Sequence, residues 1–288
     1  MSAVDLHLHS TASDGACSPS EVVQRAILAG LSAIALTDHD TIGGLPEAVA
    51  AAAGDALRVV SGCEFSAAAG WGEVHLLGYF LPLSDANLLA FLARQQEKRL
   101  ARGASMVDRL NRLGVDMSLG EIIAEADGGV IGRPHVARVL VKTGVVKDVQ
   151  MAFRRYLGLG RPAYIPRDLP LLSEVAALVR DVGGVTSAAH LKRMALDSAV
   201  LDQLVEAGVD AVEVIHPSHD GRAFGAMERA ARRVGLSVTG GSDWHGGPDT
   251  TESRTGPGYL DVPIEWLDEI ELRHRERSTV EPAVPGRR

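Results

Sequence analysis

Apolar and polar positions along the chain fall into short alternating runs separated by stretches of helical spacing. In AVDLHLH (3–9), Leu6 and Leu8 point to one face and His7 and His9 to the other, the period of two expected of a strand. SPSEVVQRAILAGL (18–31) then reads as a helix. Ser18 is its N-cap, Pro19 its first position, Glu21 the capping-box partner and Gly30 its stop. Further strands are predicted in SAIALTDHD (32–40), LRVVSGCEFS (57–66), EVHLLGYFLP (73–82), GGVTSAAH (183–190), VDAVEVIHP (209–217) and LSVTGGSDWH (236–245). Helices are predicted at 44–54 and near 195–207, 220–234 and 263–275. Seven strands, mostly in βα order, predict an α/β fold with a parallel barrel or barrel-like sheet.

Between about residues 84 and 168 no strand pattern appears. A long helical stretch, NLLAFLARQQEKRLARGASMVDRLNRLG, is followed by shorter ones around 118–126, 133–143 and 147–157. The expected organisation is a barrel from 1–83 and 169–288 with a helical insertion, 84–168, capping the strand ends and returning through RPAYIPRDLP. The basic stretch EKRLARG reads as solvated helix surface, or alternatively as the wall of a groove for a nucleic-acid chain. The tail RSTVEPAVPGRR is expected to be loosely ordered.

Composition narrows the partners. A hydrophobic content of 46% over 288 residues suffices for one large α/β core, and a net charge of −8 argues against a broad duplex-binding surface while leaving room for a small basic pocket. Two cysteines, Cys17 and Cys63, are too few for a disulfide framework. Without a signal peptide or a membrane-length apolar run, the expectation is a cytoplasmic protein with no membrane partner.

The chemistry gathers at predicted strand ends. His7 and His9 end the first strand, with Asp14 just beyond; Asp38, His39 and Asp40 end the second, Glu64 the third, and His190 the strand after the insertion. Asp243 and His245 follow the last. His75 sits near the start of its strand and joins them only if the Glu64–His75 connection folds back over the mouth. A single strand-end histidine is ordinarily a hydrogen-bonded or surface residue. Burying this many ionisable groups together without a cation is costly, so the joint pattern points to metal. Mixed imidazole and carboxylate donors suit Mn, Zn or Fe better than Mg.

Taken in order, H-x-H, S-D-G, T-D-H-D, G-x-E-x-S, a lone His, A-H and G-S-D-x-H resemble the polymerase and histidinol phosphatase (PHP) family from about residue 3 to 250. The resemblance implies a distorted (β/α)7 TIM-like barrel with the inserted helical cap and a phosphoesterase site of two or three divalent ions, with Mn expected. One ion would take His7, His9, Glu64 and Asp243; a second would share Glu64 and take His75 and His190; a third would take Asp14, His39 and His245. Catalysis would pass through a hydroxide bridging the ions, with Glu64 as bridging ligand. The family's A-H-P-x-R reads Ala189-His190-Leu191-Lys192-Arg193 here, without the proline. Within the family, the insertion, IGRPHVARVLV and EVIHPSH resemble nucleotide phosphatases and 5′-3′ exoribonucleases. That implies Arg133 and His135 approaching substrate from the cap and His219 from the barrel; Arg193 and Arg133 are candidate donors to the phosphate, and His219 or a metal-bound water is the candidate proton donor. The implied activity is hydrolysis of the 3′-phosphate of a 3′,5′-nucleoside bisphosphate. Exonucleolytic cleavage of short RNA or DNA, another small phosphoester such as histidinol phosphate, and a non-catalytic metal domain are the alternatives.

Overall fold

The computed structural model describes residues 3–246 and 256–279. Its strands are β1 (Ala3–Leu8), β2 (Ala33–Leu36), β3 (Arg58–Ala69), β4 (Gly72–Tyr79), β5 (Val185–Ala188), β6 (Ala211–Ile215), β7 (Ser237–Gly240) and the two-residue β8 (Val262–Pro263). Helices α1 (Pro19–Leu28) and α2 (Leu45–Ala51) follow β1 and β2. The helices α3 (Ala86–Arg112), α4 (Leu119–Ala126), α5 (Arg133–Lys142) and α6 (Val149–Ala152) lie between β4 and β5, as expected. Helix α7 (Leu172–Asp181), which the sequence reading did not include, also precedes β5, and α8 (Ser198–Glu206), α9 (Phe224–Arg233) and α10 (Ile264–Thr279) complete the order. The capping box at Ser18 and Glu21 is present, and Gly30 stops α1 at φ +73°. Of the tail, Arg277–Thr279 is the end of α10, and 280–288 lies outside the described residues.

The strands form one sheet in the order β7-β6-β5-β4-β3-β2-β1-β8 that curls into a distorted barrel. β1 closes it by pairing with β8 at its start and meeting the segment after β7 at its end, where His9 N donates to Trp244 O (3.0 Å) and Asp243 N to His7 O (2.9 Å). The seam is tight: a Cβ on Gly241 would lie 2.4 Å from His7 Cβ. Asp5, buried in the barrel, stitches the seam by accepting from Ser242 N (2.9 Å) and Gly258 N (2.8 Å).

Two differences from the sequence reading matter for function. β4 is not parallel: it pairs antiparallel with both β3 and β5. The two residues between β3 and β4 cannot carry a crossover, so the chain must reverse. The reversal sets His75, early in β4, opposite Ser66 at the mouth of the barrel.

The second difference is the basic face of α3. Arg99 and Arg102 are buried rather than solvated. Arg99 Nε donates to Asp40 Oδ2 (2.7 Å), and Arg102 Nε to Ile165 O (2.8 Å). The first turns of α3 (Leu88, Phe91, Leu92) belong to the barrel core, while Met106, Val107 and Leu110 join α5 in a separate apolar cluster. A helix of 27 residues, about 40 Å long, thus ties the two cores together. Asp40→Asn leaves the Arg99 guanidinium buried without its counter-charge, and should cost about 3 kcal/mol of stability in a denaturant titration. A cost near zero would remove this pair as the anchor.

Candidate metal centre

The loop after β1 is aimed by hydrogen bonds to the end of β2. Asp38 Oδ1 accepts from Ser10 N (2.7 Å) and Ser13 Oγ (2.6 Å), and Oδ2 from Ser10 Oγ (2.6 Å). Asp38 is therefore committed to the loop, and Asp40 to Arg99, while Asp14 is turned toward His39 and His245. On the opposite side, His190 (φ +35°) and Asp243 (φ +51°) hold left-handed backbone conformations that L-residues adopt at a cost.

Glu64 stands at the centre, fully buried, with its two oxygens facing different imidazoles. Oε2 lies 3.3 Å from His7 Nε2, 3.2 Å from His9 Nε2 and 3.1 Å from His39 Nδ1. Oε1 lies 2.7 Å from His75 Nδ1 and 3.0 Å from His190 Nε2. Asp243 Oδ1 approaches His7 Nε2 (3.3 Å) and His9 Nε2 (3.2 Å). Asp14 lies 3.4 Å from His245 Nε2 and 3.9 Å from His39 Nε2. All nine residues singled out from the sequence lie at one mouth, where close donor sets are formed by His7, His9, Glu64 and Asp243; by His39, Glu64 and His75, with His190 joined through Glu64 Oε1; and by Asp14, His39 and His245. His9 also stands within reach of the last set.

The donors fit cations. His7 Nε2, both nitrogens of His9 and His39 Nδ1 are buried and make no hydrogen bond, although carboxylate oxygens lie close by. Such nitrogens are costly unless a shared partner sits among them. Burial opposes the charge on Glu64, but His39, His75 and His7 outweigh it and hold its carboxyl well below the usual range. Burial likewise opposes charge on Asp243, and His7 with His216 and His9 reverses the balance. These carboxylates are thus ionised, as metal ligands must be.

Sequence reasoning missed Glu213 and His216. Glu213 is fully buried on β6; Oε1 accepts from His7 Nδ1 (2.9 Å) and Oε2 from His190 N (2.8 Å). It fixes the His7 tautomer that turns Nε2 inward, and braces the His190 backbone. His216 Nε2 faces Asp243 Oδ2 (3.3 Å). A carboxylate within the apolar run AVEVI was the available signal.

The four residues expected to touch substrate separate. Arg133 lies over the rings of Phe153 (5.7 Å) and Tyr164 (6.0 Å). His135 is buried, spends Nδ1 on accepting from Gly132 N (2.9 Å), and does not line the metal cleft. Arg193 is exposed and lines a neighbouring groove instead of the cleft. His219 Nδ1 donates to Val214 O (2.7 Å) and Nε2 accepts from Lys192 N (3.0 Å). Burial also keeps its ring neutral. With both nitrogens committed, His219 has no proton for a leaving group; it braces the loop after β5.

Beside the cleft lies a pocket of about 310 Å³ lined by Lys98, Arg99, Arg102 and Arg167 together with Asp40 and Asp168, which pair with Arg99 and Lys98. Arg167 Nη1 donates to Ser66 Oγ (2.6 Å) and Glu73 Oε1 (2.7 Å) and comes within 3.5 Å of His75 Nε2. Burial, followed by the charges of Arg167 and Arg133, pulls Arg102 down to about 10.

Residues 5–158 match the PHP domain. The chain is also 35% identical over 250 residues to the 3′,5′-nucleoside bisphosphate phosphatase of Chromobacterium violaceum, covering 85% of this chain and 88% of that protein. The chain belongs to the PHP family. It is a metal-dependent phosphoesterase of that family. The 5′-3′ exoribonuclease Rnm of Salmonella typhimurium is 31% identical over 247 residues, 84% of either protein. A Bifidobacterium adolescentis structure described as a metal-dependent phosphoesterase superposes with a TM-score of 0.85 at 32% identity, covering 94% of this chain and 96% of that one. Among the described residues no helix is long and apolar enough to cross a membrane.

Proposed function

We propose that the chain hydrolyses the 3′-phosphate of a 3′,5′-nucleoside bisphosphate. One observation carries this reading: the carboxylate–imidazole mouth, able to hold cations, and the arginine-lined pocket adjoin, in contact through His75 and Arg167 (3.5 Å). A monophosphate fills one of them; a bisphosphate fills both. Burial first, and then the charges of Arg167 and Arg133, disfavour the charged Arg102, and a dianion beside it offsets both, which fits the second phosphate. The similarity to the bisphosphate phosphatase of Chromobacterium violaceum supports the same substrate class.

In this reading two or three ions, with Mn expected and Zn or Fe compatible, are held by His7, His9, Glu64 and Asp243, by Glu64, His75 and His190, and by Asp14, His39 and His245. Divalent ions there supply Lewis-acid charge and lower the pKa of water toward neutrality. Glu64 holds two donor sets in register through its separate oxygens. Arg167, with Arg133 from the helical segment, orients the distal phosphate, and the 84–168 insertion acts as the cap that closes over it.

The test is phosphate release by the Mn-loaded chain from adenosine 3′,5′-bisphosphate and from adenosine 5′-monophosphate, with a chelator-treated control. The expected result is rapid release from the bisphosphate, little from the monophosphate, and none after chelation. Equal release from both substrates overturns the two-anion reading.

A further inference from the structure

The loop that carries Asp14 is gripped from the barrel and from the helical insertion. On the barrel side, Asp38 accepts from Ser10 N and Ser13 Oγ, and His245 O accepts from Ala16 N (2.6 Å). On the other side, Val130 N donates to Ala12 O (3.0 Å) and Arg138 Nη1 donates to Asp14 O (3.1 Å). The two backbones touch: a Cβ on Gly129 would lie 2.3 Å from Thr11 O and 2.9 Å from Ser13 O. Behind this contact, Arg138 Nε pairs with Glu125 Oε1 (3.0 Å), and the Glu125 side chain is buried between Arg138 and the exposed Lys142.

We infer that Arg138, braced by Glu125, is a positioning residue for Asp14, so that the Asp14–His39–His245 donor set is completed by the insertion and not by the barrel alone. The inference rests on the three-set reading above. Approaches to the Asp14 carboxylate are long: 3.5 Å from Ser13 Oγ, 3.4 Å from His245 Nε2 and 3.9 Å from His39 Nε2. Its aim is therefore set by the backbone that carries it, and Arg138 holds the carbonyl of that same residue. A guanidinium suits the task, because its rigid fork reaches the carbonyl with one nitrogen and the Glu125 carboxylate with another. His7, His9, Glu64, His75, His190 and Asp243 lie outside this loop, so a loosened latch is felt by one donor set before the others.

The test is Mn binding by the full-length chain, read as ions bound and their affinities, with thermal melting as the check on folding. Wild type should hold three ions. Arg138→Gln should weaken one of them by about tenfold or more, leave the other two unchanged, and recover that ion in excess Mn. Gly129→Ala, which pushes the loops apart and leaves the Glu125–Arg138 pair in place, should weaken the same ion. Lys142→Gln, which removes only the outer partner of Glu125, should bind as wild type does. By reciprocity, filling the third set in wild type should slow hydrogen exchange over 126–132. Unchanged affinities in folded Arg138→Gln and Gly129→Ala, equal weakening of all ions, or the same loss in Lys142→Gln overturns the latch alone. A wild type that saturates at two ions overturns the third donor set, and the latch with it.

Discussion

Glu64→Gln should lower kcat for phosphate-ester hydrolysis by more than about 10³-fold while the barrel stays folded. The carboxylate is fully buried and lies within 3.3 Å of five imidazoles, three around one oxygen and two around the other. Glutamine keeps the volume, so the packing around β3 survives. It replaces one charged acceptor with an NH2 that can only donate, aimed at either the His7–His9–His39 side or the His75–His190 side. One donor set therefore loses its shared anionic ligand whichever way the amide turns. Metal analysis of the purified variant should show fewer bound ions per chain, with circular dichroism unchanged. A variant retaining full metal content and near-wild-type turnover would remove Glu64 from the centre of the site.

The second large effect belongs to a residue that touches no expected substrate. Glu213→Gln should weaken metal binding or turnover by about 10- to 100-fold, the usual consequence of losing a carboxylate behind a ligating histidine. Both oxygens of Glu213 accept, one from His7 Nδ1 and the other from His190 N. Glutamine can serve only one of these donors. Its NH2 then faces an N–H, which costs about 1–3 kcal/mol inside a buried strand. The effect is one of positioning, so it should appear in metal affinity and be recovered partly at high Mn concentration. Loss of activity that excess metal does not relieve, with the fold intact, would point to a direct part in the reaction.

How far the sequence reached depends on what each pattern encodes. Alternation and capping residues located the strands and α1, because those signals are local. The direction of β4 is not written in its periodicity. The short Ala69–Gly72 link did contain the answer, since parallel neighbours need a much longer connection. The nine donors were visible because chemistry at successive strand ends has a common destination in a barrel. Their supports were harder to see. Glu213 looked like one charged letter in an apolar strand, and the arginines of α3 looked like solvent-facing helix until Asp40 and the 165–167 segment covered them. The hydrogen bonds of His219, one at each ring nitrogen, were equally out of reach of the sequence, because both partners, Lys192 N and Val214 O, are backbone atoms.

The seam between β1 and the segment after β7 gives the site a dependence on time as well as on shape. Asp243 and His245 follow His7 and His9 in the chain by more than two hundred residues, and their contacts exist only once that seam has closed. A nascent or truncated chain holds part of the donor set and not the whole. A complete set of donors is thereby withheld until synthesis has passed the last of them.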